Sequence, residues 1–159
     1  MSPLNSVIER PAHVFKPASE VLKSLNPKST CFAKMDATQG YFQVKLDEES
    51  SKICTFITCW GKFKYLRAPM GCNASSGEYL QRTDEALANV AHWCHKLVDD
   101  LLIESPDMPT LYQRIRECLT QCRRYNITIS LRKFQIARET ESVIFAGQVV
   151  RSLGISADP

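Results

Sequence analysis

Apolar and polar side chains alternate along residues 29–37, the first strongly patterned segment of the chain. Phe32, Lys34 and Asp36 fall on one side of this segment, and Ala33 and Met35 fall on the other. A period of two places successive side chains on opposite faces of an extended chain. The pattern therefore predicts a half-buried strand that ends near Asp36.

Two further segments have the composition of hairpins. Residues 52–68 contain two β-rich runs around Gly61, where we predict the turn. Residues 95–105 indicate strand, turn and strand, with the adjacent carboxylates Asp99 and Asp100 at the tip. The closing strands are predicted at residues 132–137 and 142–150.

Two segments repeat their apolar residues at helical spacing. The first follows a capping-box pattern, with Ser75 as N-cap and Glu78 three residues later. The second begins near Asp107 or Pro109. The apolar stripes of these helices are Tyr79, Thr83, Ala86, Leu87 and Val90, and Leu111, Ile115, Cys118, Leu119 and Cys122. A short helix is predicted near residues 18–25.

Strands and helices interleave from residue 31 onward. This order predicts an α+β fold in which helices cover one face of a largely antiparallel sheet. Residues 1–30 hold four of the eight prolines and show little periodicity, so they are predicted to be mostly an extended connection. Gly154 and Pro159 predict the end of a loop.

The composition suits one domain with its own core, because 44% of the 159 residues are hydrophobic. The polar start lacks the apolar segment of a secretory signal, and no stretch approaches the roughly 18 apolar residues of a membrane span. We therefore expect an intracellular protein that is not secreted and has no membrane partner.

Seven cysteines without a Cys-x-x-Cys pair are typical of buried thiols in a reducing compartment. Cys118 and Cys122, with His92, Cys94 and His95 upstream, also allow a zinc site. Core thiols fit better, because Cys118 and Cys122 both lie on the apolar stripe of a predicted helix.

Charge is unevenly distributed in the second half of the chain. Residues 112–138 carry seven basic residues against one acidic residue, and they follow the pair Asp99-Asp100. Two carboxylates about 4 Å apart repel by roughly 4 kcal/mol at an effective dielectric constant of about 20. Exposure to water, protonation of one partner or a bound cation must offset that repulsion. One interpretation is that Asp99-Asp100 binds a metal ion and that the basic residues of 112–138 bind a polyanion. The other is that the aspartate pair is a solvated turn and the basic residues form a solvated helix face.

Five stretches of the chain stand in the order and spacing of a known enzyme family. They are FAKMDATQGYFQVKLDEESSKICTFIT, YLRAPMGCNASSGEYLQR, KLVDDLLI, ITISLRKFQIA and FAGQVV. Together they resemble the reverse transcriptase, an RNA-directed DNA polymerase, of gypsy-type LTR retrotransposons and retroviruses. The resemblance covers roughly residues 3–159. It implies a reverse-transcriptase palm, with a ferredoxin-like antiparallel sheet, helices on one face and partial fingers.

The resemblance also implies a division of the chain. Residues 1–30 would be a connecting segment left from the fingers, residues 31–151 the palm domain, and residues 152–159 a C-terminal tail. The rest of the fingers, the thumb and RNase H would belong to a parent polyprotein, of which this chain is a fragment. The implied location is the cytoplasm or the particle of the element.

The same resemblance assigns catalysis to four side chains. Asp36, Asp99 and Asp100 match metal-binding aspartates, and Lys133 resembles a general acid for the pyrophosphate leaving group. Two Mg²⁺ (or Mn²⁺) ions about 3.5–4 Å apart would activate a primer 3′-hydroxyl and stabilise the leaving group. Carboxylate oxygens are hard ligands that suit such ions.

Substrate positions follow from the resemblance as well. Tyr41 matches an aromatic steric gate that excludes a 2′-hydroxyl, and Ala37 begins a stretch whose backbone N–H groups would lie near the triphosphate. The implied substrate-binding residues are Ala37, Tyr41, Phe42, Pro69, Gly71 and Ser75, and the implied primer grip is Phe145, Ala146 and Gly147. The implied partners are an RNA or DNA template, a DNA primer and deoxynucleoside triphosphates. Leu97 departs from the family, which usually has an aromatic residue there, most often tyrosine.

Three functions stay open at this level. The first is template-directed DNA synthesis by two-metal nucleotidyl transfer. The second is a truncated, catalytically inactive remnant of an element that folds and binds nucleic acid through the basic flank. The third is a metal-free α+β interaction domain.

Overall fold

A computed structural model describes residues 2–8 and 16–157. The helices in these ranges are α1 Ser2–Asn5, α2 Ala18–Lys23, α3 Glu48–Ile53, α4 Asn73–Leu87 and α5 Met108–Arg124. The strands are β1 Cys31–Asp36, β2 Thr55–Thr58, β3 Gly61–Lys64, β4 Cys94–Leu97, β5 Asp100–Ser105, β6 Gln135–Ala137, β7 Val143–Phe145, β8 Gln148–Arg151 and β9 Gly154–Ala157. No helix within the described ranges is long and apolar enough to cross a membrane.

The chain divides into two compact units. The first comprises Met1–His13 and Gln39–Thr83, and the second comprises Val14–Thr38 and Asp84–Pro159. The three-part division expected from the sequence, with boundaries after residues 30 and 151, stays a prediction. The predicted connection at residues 9–15 and the predicted loop end at Pro159 lie outside the described residues.

The central sheet of the second unit has the strand order β4-β5-β1-β6, and all neighbours are antiparallel. The first of these strands in the sequence therefore lies between the third and the fourth. This is the order of a β-α-β-β-α-β motif, with α4 and α5 in the two connections. The predicted α+β fold and the predicted first strand are confirmed.

Each face of this sheet carries its own core. On one face, Met35 and Ile103 pack with Leu111 and Ile115 of α5 and with the end of α4. On the other, Leu102 packs with residues of α2 and of the β7-β8 hairpin. Full burial of such side chains contributes about 1.5–3 kcal/mol each. The two cores fix which way the side chains of β1 and β5 face at the end of the sheet.

The predicted turn at Gly61 is displaced in the first unit. Thr58 pairs with Gly61, so Cys59 and Trp60 form the turn and Gly61 begins β3. Its φ of 127° suits glycine alone. Residues 52 and 53, predicted in the strand, instead end α3, whose N-cap Asp47 accepts a hydrogen bond from the Ser50 amide at 2.7 Å. Capping by Asp47 outweighs the β propensity of this stretch.

The capping box predicted at Ser75 is wrong. α4 begins at Asn73, so Ser75 lies inside the first turn, and its hydroxyl donates to the Pro69 carbonyl at 2.9 Å. The Asn73 amide donates instead to the side-chain oxygen of Asn5 at 3.0 Å, a partner far away in the sequence. The predicted apolar stripe is confirmed, because Tyr79, Thr83, Ala86, Leu87 and Val90 are all buried.

α5 begins as predicted, with Asp107 as N-cap accepting from the Thr110 amide at 2.8 Å. Leu119, predicted in the buried stripe, is 39% exposed because Cys118 and Cys122 already face the sheet. Towards the C-terminus, Leu131–Lys133 form a 3₁₀ turn rather than a strand, and β6 begins only at Gln135. Gly154, predicted at the end of a loop, begins β9.

Candidate active site

Two of the predicted metal-binding aspartates face each other at the end of the central sheet. Asp36 is the last residue of β1 and Asp100 is the first residue of β5, and the register pairs them directly. Cross-strand partners have Cα atoms about 4.5–5.5 Å apart, so the two carboxylates are neighbours on one face. Both side chains are partly buried, with 16% and 25% of their surface exposed. The pairing follows from the alternation that also places Met35 and Leu101 in the core.

Asp99 lies in the two-residue turn that joins β4 to β5. Leu97 pairs with Asp100 across this turn, so only Asp99 is at the tip and Asp100 belongs to the strand. The Asp99 carbonyl accepts a hydrogen bond from the Ala37 amide at 2.9 Å. This bond continues the β1-β5 ladder by one residue and holds the turn against the residue that follows Asp36.

Val98, the other turn residue, has a φ of 55°. A β-branched residue in the left-handed region is an outlier that costs on the order of 1–3 kcal/mol. Among the two turn residues only Val98 has positive φ, which is the pattern of a type II′ turn, where glycine is preferred at this place. The chain therefore keeps a strained valine directly before Asp99.

Two lysines neutralise the paired aspartates. Lys133, in the 3₁₀ turn, donates from Nζ to both Asp36 carboxylate oxygens at 3.0 Å each. Lys34, on β1, lies with its Nζ 3.1 Å from Oδ2 of Asp100. The two pairs differ in exposure, because the Lys133 side chain is 65% exposed and that of Lys34 only 19%. The repulsion between Asp36 and Asp100 is thus offset by two ammonium groups.

The donor chemistry of Asp36 and Asp100 fits divalent cations such as Mg²⁺ or Mn²⁺, because carboxylate oxygens suit them and both positions already attract positive charge. Within residues 2–8 and 16–157, however, no three side chains of His, Cys, Asp or Glu converge into a group that could hold a metal ion. The metal site of three aspartates that the sequence suggested stays a prediction. The structure places Asp36 and Asp100 opposite each other, and the Asp99 carbonyl accepts a hydrogen bond from the Ala37 amide next to Asp36.

The zinc alternative finds no support within the described ranges, since the cysteines that suggested it form no such metal-binding group there. Cys94 and Cys118 have their sulfur atoms 3.7 Å apart in the core, and Cys122 is buried beside them. Hydrogen bonding to Cys118 and burial raise the pKa of the Cys122 thiol, which keeps it protonated. All seven cysteines are free thiols.

Tyr41 and the loop before α4 line a cavity in the first unit. Its volume is about 200 Å³, and its walls are Tyr41, Gly71, Cys72, Asn73, Ser75 and Ser76. Tyr41 belongs to the 3₁₀ turn Gly40–Gln43 and contacts Tyr79 edge-on, with ring centroids 5.8 Å apart. Pro69 is fully buried, and Phe42 is partly buried in the same 3₁₀ turn. Three predicted substrate residues, Tyr41, Gly71 and Ser75, therefore meet around one cavity.

The backbone expected to bind a triphosphate is engaged at its first two residues. The Ala37 amide donates to Asp99, and the Thr38 amide donates to the Thr128 carbonyl at 2.9 Å. These two N–H groups are therefore not available to a ligand in this structure. They fasten the end of β1 to its neighbours instead.

The predicted primer grip is a tight hairpin turn. Ala146 and Gly147 connect β7 to β8 with φ values of 57° and 70°, while Phe145 is fully buried in the core. Positive φ at both turn residues is the geometry of a type I′ turn, which matches the twist of the flanking strands. Phe145 anchors the hairpin, Ala146 is partly buried against the same core, and Gly147 is exposed.

Two further residues act on these sites without having been predicted. Asn5 donates from Nδ2 to the Gly71 carbonyl at 2.8 Å and accepts from the Asn73 amide, so it ties α1 to the loop that lines the cavity. Its sequence context carries no signal for this contact. The sequence did contain a signal for Lys34, because the strand alternation places this residue on the same side as Asp36.

Comparison with known proteins identifies the family of this chain. Residues 1–150 match the family described as reverse transcriptase (RNA-dependent DNA polymerase), and the chain belongs to that family. It is 29% identical over 129 residues to a retrovirus-related Pol polyprotein from transposon opus of Drosophila melanogaster, covering 80% of this chain and 13% of the relative. It is 28% identical over 128 residues to the enzymatic polyprotein of Figwort mosaic virus (strain DxS), covering 80% of this chain and 19% of that polyprotein.

Solved structures share the fold. A foamy viral protease-reverse transcriptase in complex with an RNA/DNA hybrid superposes with a TM-score of 0.82 at 18% identity, over 97% of this chain and 20% of that one. A second foamy viral structure, in complex with double-stranded DNA, gives a TM-score of 0.87 at 16% identity, over 97% of this chain and 26% of that one. The chain thus spans about a fifth or less of the two polyproteins above, and it has the reverse-transcriptase fold.

Proposed function

We propose that this chain is the palm portion of a retroelement reverse transcriptase and takes part in template-directed transfer of deoxynucleotides to a DNA primer. The observation that carries the proposal is the register that sets Asp36 opposite Asp100, with Asp99 in the adjoining turn. Membership of the reverse-transcriptase family supports it independently.

Asp36, Asp99 and Asp100 would hold two divalent ions, Mg²⁺ or Mn²⁺, which supply charge stabilisation to the attacking and leaving oxygens. The other steps belong to side chains of the protein. Tyr41 would close one wall of the sugar site, and Lys133 would deliver a proton from its Nζ to the departing pyrophosphate. Lys133 donates from Nζ to Asp36, so this ammonium group already lies beside the proposed metal-binding carboxylates.

The proposed partners are a nucleic-acid template, a DNA primer and deoxynucleoside triphosphates, together with the rest of a parent polymerase. Related structures whose descriptions name an RNA/DNA hybrid and double-stranded DNA support the nucleic-acid class. The proposed location is inside the cell, in the cytoplasm or in the particle of the element. Seven free thiols support a reducing compartment.

The test is primer extension by the 159-residue chain on a primed RNA template with Mg²⁺ or Mn²⁺, alongside Mn²⁺ binding followed by electron paramagnetic resonance. Asp36→Asn should abolish both extension and tight Mn²⁺ binding, because it removes one of the paired carboxylates. Glu117→Gln is the matched control, since it removes one negative charge from an exposed site on α5 and should change neither. Extension by Asp36→Asn at the wild-type rate would refute the proposal, and salt-sensitive nucleic-acid binding without any extension by the wild type would favour the inactive remnant.

A further inference from the structure

We propose that Lys34 is a positioning residue of the carboxylate pair: it neutralises Asp100 and holds that carboxylate beside Asp36 before any divalent ion arrives. The inference rests on the proposed function, because it concerns how the same aspartates receive their ions. Nothing in the known family motifs discussed above assigns a role to this lysine.

The strand pairing of the central sheet determines where Lys34 lies. It lies two residues before Asp36 on β1, so both side chains leave the same face of the strand. The register pairs Lys34 with Leu102 and Asp36 with Asp100, which makes Asp100 the diagonal neighbour of Lys34. Diagonal positions about 7–8 Å apart are within reach of a long side chain. The contact is therefore built into the strand pairing.

The contact between Lys34 and Asp100 is partly buried. The Nζ of Lys34 lies 3.1 Å from Oδ2 of Asp100, and the two side chains are only 19% and 25% exposed. Partial burial shields such a pair from the salt screening that weakens exposed pairs. Lys133 differs, because 65% of its side chain is exposed where it binds Asp36. The structure thus supplies one shielded counter-ion, Lys34, and one exposed counter-ion, Lys133.

Lys34 also affects how the carboxylate pair binds a cation. A shielded lysine beside Asp100 lowers the negative potential that draws a divalent ion to the pair, and it fixes the direction of the carboxylate at the same time. Lys34 therefore lowers the affinity for divalent ions, but it holds the Asp100 carboxylate beside Asp36 before an ion binds. Exposed Lys133 is the counter-ion that can leave.

The experiment compares Lys34→Met, Lys34→Arg and the wild-type chain by Mn²⁺ titration with electron paramagnetic resonance. Lys34→Met should bind Mn²⁺ at least about tenfold more tightly, because that is the order expected for a lysine a few ångströms from a divalent ion even at the dielectric constant of water. Partial burial of the pair should make the effect larger. Lys34→Arg should restore wild-type affinity, because it keeps the charge. Lys28→Met, which removes the same charge from an exposed lysine, is the control and should not change affinity.

A purely structural ion pair would lower the thermal midpoint of Lys34→Met and leave Mn²⁺ affinity unchanged, and that result would overturn the inference. Combining Lys34→Met with Asp100→Asn gives a separate readout in urea unfolding without metal. The midpoint shifts of the two single variants should fail to add, because each removes the same contact; additive shifts would also overturn the inference. If neither the wild-type chain nor any variant binds Mn²⁺, the proposed function fails and the inference fails with it. If the wild type binds Mn²⁺ and Lys34→Met binds it equally well, only the inference fails.

Discussion

Single side chains of this protein carry two separate kinds of chemistry. In the second unit, carboxylates at strand ends are each matched by an ammonium group, so charge is balanced residue by residue. In the first unit, an aromatic ring and small polar residues line a cavity of about 200 Å³. The two groups of residues therefore offer different chemistry: paired carboxylates in the second unit, and an aromatic wall with small polar groups in the first.

Tyr41→Ala should admit ribonucleotides if Tyr41 is the wall that excludes a 2′-hydroxyl. The change removes the ring that contacts Tyr79 edge-on and opens the cavity on one side. The measurement is the ratio of ribonucleotide to deoxynucleotide incorporation by the 159-residue chain, and we expect it to rise at least about tenfold, which corresponds to roughly 1.4 kcal/mol of lost discrimination. Tyr112→Ala, on the exposed face of α5, is the control. An unchanged ratio would remove Tyr41 from the gate.

At the scale of elements, the turn between β4 and β5 is the strained part of the candidate site. Its two residues are Val98 and Asp99, and only Val98 has positive φ. Strain beside functional side chains persists when the surrounding structure over-determines it. Here the ladder of β5 with β1 and the bond from the Ala37 amide to Asp99 hold the turn in place.

Val98→Gly should raise the free energy of unfolding by about 1 kcal/mol. Relief of the left-handed strain is worth on the order of 1–3 kcal/mol, and the greater backbone freedom of glycine in the unfolded state offsets about 0.5–1 kcal/mol of it. The measurement is urea unfolding of the variant and the wild type. Val98→Ala is the matched comparison, since it keeps most of the left-handed penalty and should gain less. A lower stability of Val98→Gly would show that Val98 contributes packing that outweighs its strain.

At the scale of the whole molecule, stability is coupled to pH through a buried pair in the second unit. The Nε2 of His95 and Oε1 of Glu104 are 3.0 Å apart, and the Asn26 amide donates to the other Glu104 oxygen at 2.7 Å. Burial favours the uncharged acid, but the hydrogen bonds from His95 and from the Asn26 amide outweigh it, so the pKa of Glu104 lies below its usual range.

A carboxyl group whose pKa is lowered by folding stabilises the protein above its unfolded pKa, near 4.3, and loses that contribution as the pH falls through the folded pKa. Glu104→Gln should therefore flatten the fall in unfolding free energy as the pH drops below the unfolded pKa near 4.3. It should also lower the free energy of unfolding at pH 7, because His95 loses its carboxylate partner. Urea unfolding across this range checks the slope. An unchanged acid slope in Glu104→Gln would mean that other carboxylates carry the acid sensitivity.

Much of the architecture could be predicted from local patterns. The alternation of Phe32, Lys34 and Asp36 with Ala33 and Met35 is a local consequence of strand geometry, and it correctly placed β1 and its faces. The apolar spacing of the two long helices likewise appears as burial on one side of each helix. The ordered motifs indicated the family, and the match of residues 1–150 to that family confirmed it.

Two predictions failed because pairing within the fold, and not the local residue pattern, decided the outcome. Ser75 does not cap α4, because Asn5 supplies the acceptor for the start of that helix from 68 positions away. Gly61 lies in β3 and not in the turn, because it pairs with Thr58, and the composition of the segment did not specify that register. The amides of Ala37 and Thr38 donate to the carbonyls of Asp99 and Thr128, and the role of this stretch in binding a triphosphate stays a prediction.

The sequence alone determined β1, the two long helices and the residue types that carry the chemistry, because propensity, periodicity and side-chain ionisation are properties of short segments. Only the tertiary structure decided that Asp36 stands opposite Asp100, that Lys34 and Lys133 neutralise them, and that Asp99 is held through its backbone. Register between strands depends on the burial of both sheet faces at once, and the charge balance at the end of the sheet follows from that register.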